Sequence, residues 1–456
     1  MGKGLLLTVS LVFLQHVSLV SPYALLCYYL KTSDKRLAKF NFNPESIDPY
    51  LCTHLVYSNA QESTDISKWK DDAMYKRFND LKKKNKNLKT LLGYIGFAYG
   101  NGSIAITKES REKFSNSVVT FLRKHKFDGL DLDWRFPEHA CKSPEDKQRF
   151  TLLVKEMMEA FKAEALKTKK ARLLLTAPVT ASKRDVKVGY EIAEISRNLD
   201  FITVMAFNFN MWNFVAGHHS PLYHRSVDGN KEHNINYILK YWRDQGAPTK
   251  KLLVGFPTFG VTFTLKTHKT VIGAPVSKSG KAGSYSGTSG ILAYQEICPF
   301  LNGATIRMTE DQKVPYAFKG DQWLGYDDRQ SFTTKAQWLK DNHFGGAALW
   351  ALDLDDYIGN KCYEGAYPLT NTLKTALDIN DSGDGRKPFF SLSFSKTSTM
   401  EVRPWCYETP NGFYSFPSDP HKFYNCAGGK NHIMVCPEGM DFNDKCHCCN
   451  KCKKKQ

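Results

Sequence analysis

The chain has 456 residues, enough for one large fold with an appendage or for two to four ordinary domains. Its 42% hydrophobic, 24% charged and 13% aromatic content is that of an ordinary globular protein and excludes a disordered, collagen-like or coiled-coil chain. Sixty-three Lys and Arg against 46 Asp and Glu leave a formal charge of +17, but the lysines are scattered and only Lys451 to Lys455 form a dense block, so no nucleic-acid partner is expected.

Lys3 precedes an apolar run from Leu5 to Val20, which Ser21, Pro22 and Ala24 end. The run is about 16 residues, short of the roughly 20 that a spanning helix needs, so residues 1–22 read as a removable secretory leader. No comparable stretch recurs, and the mature chain is expected to be secreted, extracellular and monomeric, without membrane insertion.

Residues 23–378 alternate short apolar or β-branched runs with amphipathic stretches. Eight strands are expected: Ala24 to Leu30, His54 to Ala60, Lys89 to Gly96, Gly129 to Arg135, Arg172 to Val179, Phe201 to Phe209, Lys251 to Phe259 and Gly346 to Leu352. The segments between them read as helices where the period can be tested. Phe114, Val118, Phe121 and Leu122 share one face, as do Phe150, Leu153, Val154, Met157 and Phe161. This repeat predicts the α/β class and a (β/α)8 TIM barrel, with its site at the C-terminal ends of the strands. A doubly wound sheet is the alternative, but no glycine-rich phosphate loop supports it. Roughly ninety residues separate the last two strands, with Gly- and Ser-rich turns around Ser277 to Gly290; a small α+β insertion over about 259–328 is expected there.

The fourth strand carries the unusual residues. Phe127-Asp128-Gly129-Leu130-Asp131-Leu132-Asp133-Trp134-Arg135-Phe136-Pro137 puts acids into a buried strand, where an unpaired charge is costly. Side chains alternate along a strand, so Asp131, Asp133 and Arg135 share the lumen face. Two readings are open: a structural ion-pair ladder and an active-site relay.

Twelve cysteines suit an oxidising compartment. Cys27, Cys52, Cys141, Cys298 and Cys362 are spread over the large domain, whereas Cys406, Cys426, Cys436, Cys446, Cys448, Cys449 and Cys452 crowd the end. Residues 379–403 have linker composition, and residues 404–456 form a small disulfide-rich β module. Zinc is the alternative for Cys and His this dense, but in an exported chain no metal and no cofactor are expected. Asn101-Gly102-Ser103 and Asn380-Asp381-Ser382 are glycosylation sequons, so a glycoprotein is expected.

The segment Asp128 to Arg135 resembles the Asp-Gly-x-Asp-x-Asp-x-Glu signature of glycoside hydrolase family 18, the chitinases and chitinase-like lectins. The likeness extends over nearly the whole chain, through Cys27-Tyr28-Tyr29, Gly217-His218-His219-Ser220-Pro221, Gln322-Trp323-Leu324-Gly325-Tyr326-Asp327-Asp328 and Gly346-Ala347-Ala348-Leu349-Trp350. It implies disulfides joining Cys27 to Cys52 and Cys298 to Cys362. Within the family, the leader, altered site and cysteine-rich tail are most similar to the mite group 18 allergens.

The departures from the family pattern bear on mechanism. In active members the last acid of the signature protonates the leaving oxygen while the substrate's own N-acetyl carbonyl attacks the anomeric carbon. Arg135 holds that position here, and a guanidinium keeps its proton at any accessible pH. The family Met-Thr-Tyr-Asp on the sixth strand reads Met205-Ala206-Phe207-Asn208, without the hydroxyl and the carboxylate. Glu138, beyond Pro137, is expected on a loop and out of line with the lumen. The degenerate site Asp131, Asp133, Arg135, Phe207 and Asn208 therefore implies no hydrolysis.

Sugar binding needs aromatic faces and donors rather than a general acid. The resemblance assigns Trp350 as the central platform, with Ile95, Gly96, Phe97 and Ala98 of the third-strand motif, Lys68, Trp69, Phe136, Met205, Ala206 and Trp212 as further contacts. Residues 404–456 resemble the peritrophin-type chitin-binding module, with Phe413, Tyr414, Phe423 and Tyr424 inside the cysteine frame and a family pairing of Cys436 with Cys448. Cys141 and Cys452 are left over. The expected protein is a secreted binder of chitin or chito-oligosaccharides on an inactive chitinase scaffold. A chitinase with residual activity and an immune or signalling protein without glycan binding are the alternatives.

Overall fold

The computed structural model describes residues 23–35, 41–58, 65–95, 103–135, 145–211, 215–228 and 230–379, and, nearer the C-terminus, 412–415, 422–427, 430–437, 440–443 and 448–450. The expected leader, Phe136, Glu138, Cys141 and both sequon asparagines lie outside the described residues.

Seven strands open the fold: β1 (Ala24–Leu30), β2 (His54–Ser58), β3 (Lys89–Ile95), β4 (Gly129–Asp133), β5 (Leu174–Val179), β6 (Phe201–Val204) and β7 (Leu252–Pro257). Six more follow, β8 (Phe259–Leu265), β9 (Val276–Ser279), β10 (Ile291–Ala293), β11 (Thr305–Thr309), β12 (Val314–Lys319) and β13 (Gln322–Gly325), and then β14 (Gly346–Trp350). β1 to β7 and β14 close into a barrel of eight parallel strands in the order β1-β14-β7-β6-β5-β4-β3-β2. Its strands are apolar along almost their whole length because the lumen covers one face and helices the other. Close approach fixes two glycines in the ring. A Cβ on Gly129 would collide with the Leu174 carbonyl oxygen, and one on Gly346 with that of Ala24.

The helices follow the expected faces. Lys108–His125 buries Phe114, Val118, Phe121 and Leu122, starts at a Thr107–Ser110 capping box and stops at Lys126 in the left-handed region. Glu145–Thr168 buries Phe150, Leu153, Val154, Met157 and Phe161.

Several barrel strands end earlier than the sequence suggests, and the early ends of β4 and β6 shape the mouth. β4 stops at Asp133 because the chain then peels away: the Tyr190 hydroxyl donates to the Trp134 carbonyl, and the Arg135 backbone N–H donates to the Asp133 carboxylate. β6 stops at Val204 because Ala206 and Phe207 donate back to Val204 and Met205, which curls the backbone instead of extending it.

Between β7 and β14 the chain forms a separate six-stranded antiparallel sheet, β10-β8-β13-β12-β11, with β9 also paired to β8, beyond the stretch that β10 covers. Disulfides join Cys27 to Cys52 and Cys298 to Cys362. No helix among the described residues is long and apolar enough to cross a membrane.

The chain divides into two units, residues 1–388 and 389–456. The second holds β15 (Gly412–Ser415), β16 (Lys422–Ala427) and β17 (Lys430–Val435) in one antiparallel sheet, and β18 (Asp441–Asn443) paired with β19 (Cys448–Asn450). Phe413 and Tyr414 fall on β15 opposite Asn425 and Tyr424 of β16, with Phe423 opposite Ser415. Cys426 falls on β16, and Cys448 and Cys449 on β19; Cys406, Cys446 and Cys452 lie outside the described residues. Cys436 is buried and disulfide-bonded.

Candidate functional site at the barrel mouth

The acid-bearing face of β4 points into the lumen, as alternation requires; Asp131 is held from β1 and β5, and Asp133 by Arg135 just beyond β4 itself. Asp131 is 1% exposed and accepts hydrogen bonds from the Tyr28 hydroxyl of β1 at 3.0 Å and the Thr176 hydroxyl of β5. Burial pushes its pKa up to about 7, against the hydrogen bond from Thr176 and with the help of the neighbouring charge on Asp133. Burial and the same two carboxyl groups hold the Tyr28 phenol well above its usual value.

Asp133, one step nearer the mouth, is buried and takes a two-point grip from Arg135: Nε to Oδ1 at 2.9 Å and Nη2 to Oδ2 at 2.7 Å. Burial opposes the charge on Arg135, but the Asp133 carboxylate and its hydrogen bonds outweigh it and raise the pKa further. The guanidinium therefore stays protonated. Its carbon lies over the Trp350 ring, 5.0 Å from the centroid, within the range of a cation–π contact. Trp350 is half-buried at the end of β14 and also meets Tyr28, at 4.9 Å between centroids and a 45° tilt.

The residues after β6 add an apolar wall. Met205 is 5% and Phe207 7% exposed, and Phe207 packs edge-on against Phe259 at 5.8 Å. Ala206 has no exposed surface and sits among the apolar side chains on the helix side, so it offers nothing to a ligand. Asn208 is exposed, with φ 66°, a left-handed conformation that Asn tolerates. Ile95 ends β3 in register with Asp133, which brings it to the mouth. Gly96, Phe97, Ala98, Phe136 and Trp212 lie outside the described residues.

Trp69 requires a correction. It is 3% exposed, stacked on Tyr94 at 5.7 Å with a 4° interplanar angle and edge-on to Phe121, so its ring belongs to the core and is not an open platform. The short 3-10 turn Ile66–Lys68 turns it inward while Lys68, 72% exposed, points out beside Asp65.

Sequence reasoning missed two things. Tyr28 and Thr176 clamp Asp131, although Tyr28 stands in a quoted motif. A fully buried ion pair, Lys335 with Asp327, also secures the loop entering from β6: Lys335 Nζ donates to the Ser220 carbonyl at 2.6 Å, and a ring nitrogen of His218 lies 2.7 Å from the Tyr326 carbonyl oxygen. Its signal was a lysine between Phe332, Ala336 and Leu339 on the buried face of the helix Arg329–Asp341. Burial lowers the His218 pKa to about 4 and so keeps the ring neutral. No group of three or more His, Cys, Asp or Glu among the described residues is placed to hold a metal ion.

Chemically, the mouth offers an aromatic platform and a fixed cation. The carboxyl with a pKa near neutrality, Asp131, is committed to Tyr28 and Thr176 deeper in the lumen.

Comparison with known proteins agrees with this geometry. The family model for glycosyl hydrolases family 18 matches residues 24–355. Chitotriosidase-1 of Mus musculus is 39% identical over 448 residues, covering 94% of this chain and 95% of that protein. Chitinase-3-like protein 2 of Homo sapiens is 42% identical over 368 residues, covering 78% of this chain and 93% of that protein. A solved structure of human YKL-39, described as a pseudo-chitinase with retained chitooligosaccharide binding properties, superposes with a TM-score of 0.74 at 41% identity, covering 78% of this chain and all of that one.

Proposed function

This chain belongs to glycosyl hydrolases family 18, and from that premise we propose that it is a secreted protein that binds chitin or chito-oligosaccharides without hydrolysing them. The observation that carries the reading is Arg135. Cleavage of the glycosidic bond needs a proton donor within hydrogen-bond reach of the leaving oxygen, and the family's donor position holds a guanidinium locked to Asp133. Phe207 and Asn208 remove the groups that steady the acetamido arm in the family's active members. What is left at the end of β14, the Trp350 ring with Tyr28 and the Arg135 cation beside it, suits carbohydrate recognition. Human YKL-39 supports the combination, since that relative retains chitooligosaccharide binding as a pseudo-chitinase.

The tail supports a second anchor. The match to Chitotriosidase-1 covers 94% of this chain, more than the first unit alone can supply, so it runs into residues 389–456. We read residues 404–456 as a chitin-binding module presenting Phe413, Tyr414, Phe423 and Tyr424, stapled by Cys406, Cys426, Cys436, Cys446, Cys448 and Cys449. We further propose residues 1–22 as a leader, the chain as a monomer, Asn101 and Asn380 as glycosylation sites, and a kinship with the mite group 18 allergens.

The second reading is a chitinase with a rearranged acid, favoured by the 39% identity to Chitotriosidase-1, a protein whose name is that of an enzyme. Retention on chitin beads, assayed beside release of a fluorogenic leaving group from a chito-oligosaccharide, separates the two. Retention without release supports the binder.

A further inference from the structure

Arg135 and Trp350 leave strands that stand diametrically opposite in the barrel, because β4 and β14 are separated by three strands on either side of the ring. The guanidinium carbon is nevertheless 5.0 Å from the indole centroid. The side chain must therefore cross the mouth. We infer that Arg135 is a built-in occupant of the central sugar position, a strut that covers the Trp350 platform and makes the chain bind neutral N-acetylglucosamine polymers through the units on either side of that position.

The inference rests on the glycan-binding reading and deepens it. A pyranose stacks on an indole by laying its C–H face against the ring, which requires that face to be free. Here Tyr28 approaches the indole at 4.9 Å and the guanidinium covers it at 5.0 Å. The strut is fixed at both ends. At the β4 end, Nε and Nη2 bind the buried Asp133 carboxylate in a planar fork that a lysine could not reproduce. At the β14 end, the cation rests on the ring quadrupole. A neutral sugar entering the centre must break the stack while leaving Asp133 partnered, since an unpaired buried carboxylate is strongly disfavoured. The Arg135 side chain is 35% exposed, so part of it stays accessible to an incoming ligand.

The test is calorimetric titration of the full chain with chitotriose, chitotetraose and chitohexaose, comparing wild type with Arg135→Ala and with the double variant Asp133→Asn/Arg135→Ala, which leaves no unpaired buried charge. The inference expects both variants to bind chitotetraose at least tenfold more tightly than wild type, and wild type to gain affinity steeply with length. Adding Trp350→Ala to the Arg135→Ala chain should abolish the gain. Equal or weaker binding by the folded double variant, with wild type still binding, overturns the strut and leaves the glycan-binding reading in place. Absence of binding by every folded chain overturns both.

Discussion

Arg135 and Trp350, carried on opposite strands of the barrel, meet across its mouth with the guanidinium carbon 5.0 Å from the indole centroid. The group in the acid position is thus a structural cation held by Asp133 and resting on an aromatic ring. The proposed loss of chemistry and the proposed strut rest on the same residue.

Restoring an acid alone should not restore turnover. Arg135→Glu supplies a proton donor, but Phe207 and Asn208 still lack the hydroxyl and carboxylate that position the acetamido group. Arg135→Glu is expected to release at most a trace of fluorogenic leaving group, and Arg135→Glu/Phe207→Tyr/Asn208→Asp at least tenfold more. Equal activity in the two variants would show that the residues after β6 are irrelevant to the chemistry.

Asp131 should make stability fall as pH rises. Its folded pKa is raised from 3.8 to about 7, so between those values the folded chain binds a proton that the unfolded chain has lost. The stabilisation is complete below the unfolded pKa and is lost through about pH 7, at ~1.4 kcal/mol per pKa unit. His218, lowered to about 4, contributes the opposite slope between 4 and 6.5, so the observable is a difference. Urea unfolding from pH 4 to 8 should show that the advantage of wild type over Asp131→Asn shrinks as pH rises. An advantage that grows with pH would contradict the assignment.

Lys335→Met should be among the more damaging single changes in the first unit. It leaves the Asp327 carboxylate without its cation in a fully buried site and releases the Ser220 carbonyl. Breaking such a pair costs ~3–5 kcal/mol. Lys335→Met/Asp327→Asn should recover part of that loss in the same denaturation assay. A double variant no better than the single would place the damage in packing rather than charge.

Removing the Cys298–Cys362 disulfide, which spans 64 residues, should lower the unfolding free energy by ~2–4 kcal/mol. Cys298 lies in the helix Tyr294–Leu301, and the Cys362 backbone N–H donates to Asp356. The double Cys→Ser variant should show the loss in urea denaturation while chitin retention persists. Unchanged stability would mean that the Asp356 hydrogen bonds alone hold the loop.

Much of this was legible in the sequence because barrel strands covered on both faces read as continuous apolar runs. β1 was placed to the residue, and Asp131 and Asp133 stood out as acids within such a run. Strand ends were less legible: β4 and β6 stop where side-chain and local backbone hydrogen bonds turn the chain, which periodicity does not encode. Trp69 was misplaced because a tryptophan after a short turn carries no local sign of whether its ring faces out or stacks on Tyr94. The reach of Arg135 to Trp350 was hidden for another reason: the two are 215 positions apart in the numbering, and only closure of the ring brings their strands face to face.

The most direct test of the central claim is one paired assay on the purified wild-type chain: retention on chitin beads and, in parallel, release of a fluorogenic leaving group from a chito-oligosaccharide. The account predicts retention with release no faster than the uncatalysed rate. Turnover that survives repurification and vanishes in an Arg135→Ala or Asp133→Asn variant would contradict it, because a guanidinium locked to Asp133 does not release its proton at any accessible pH.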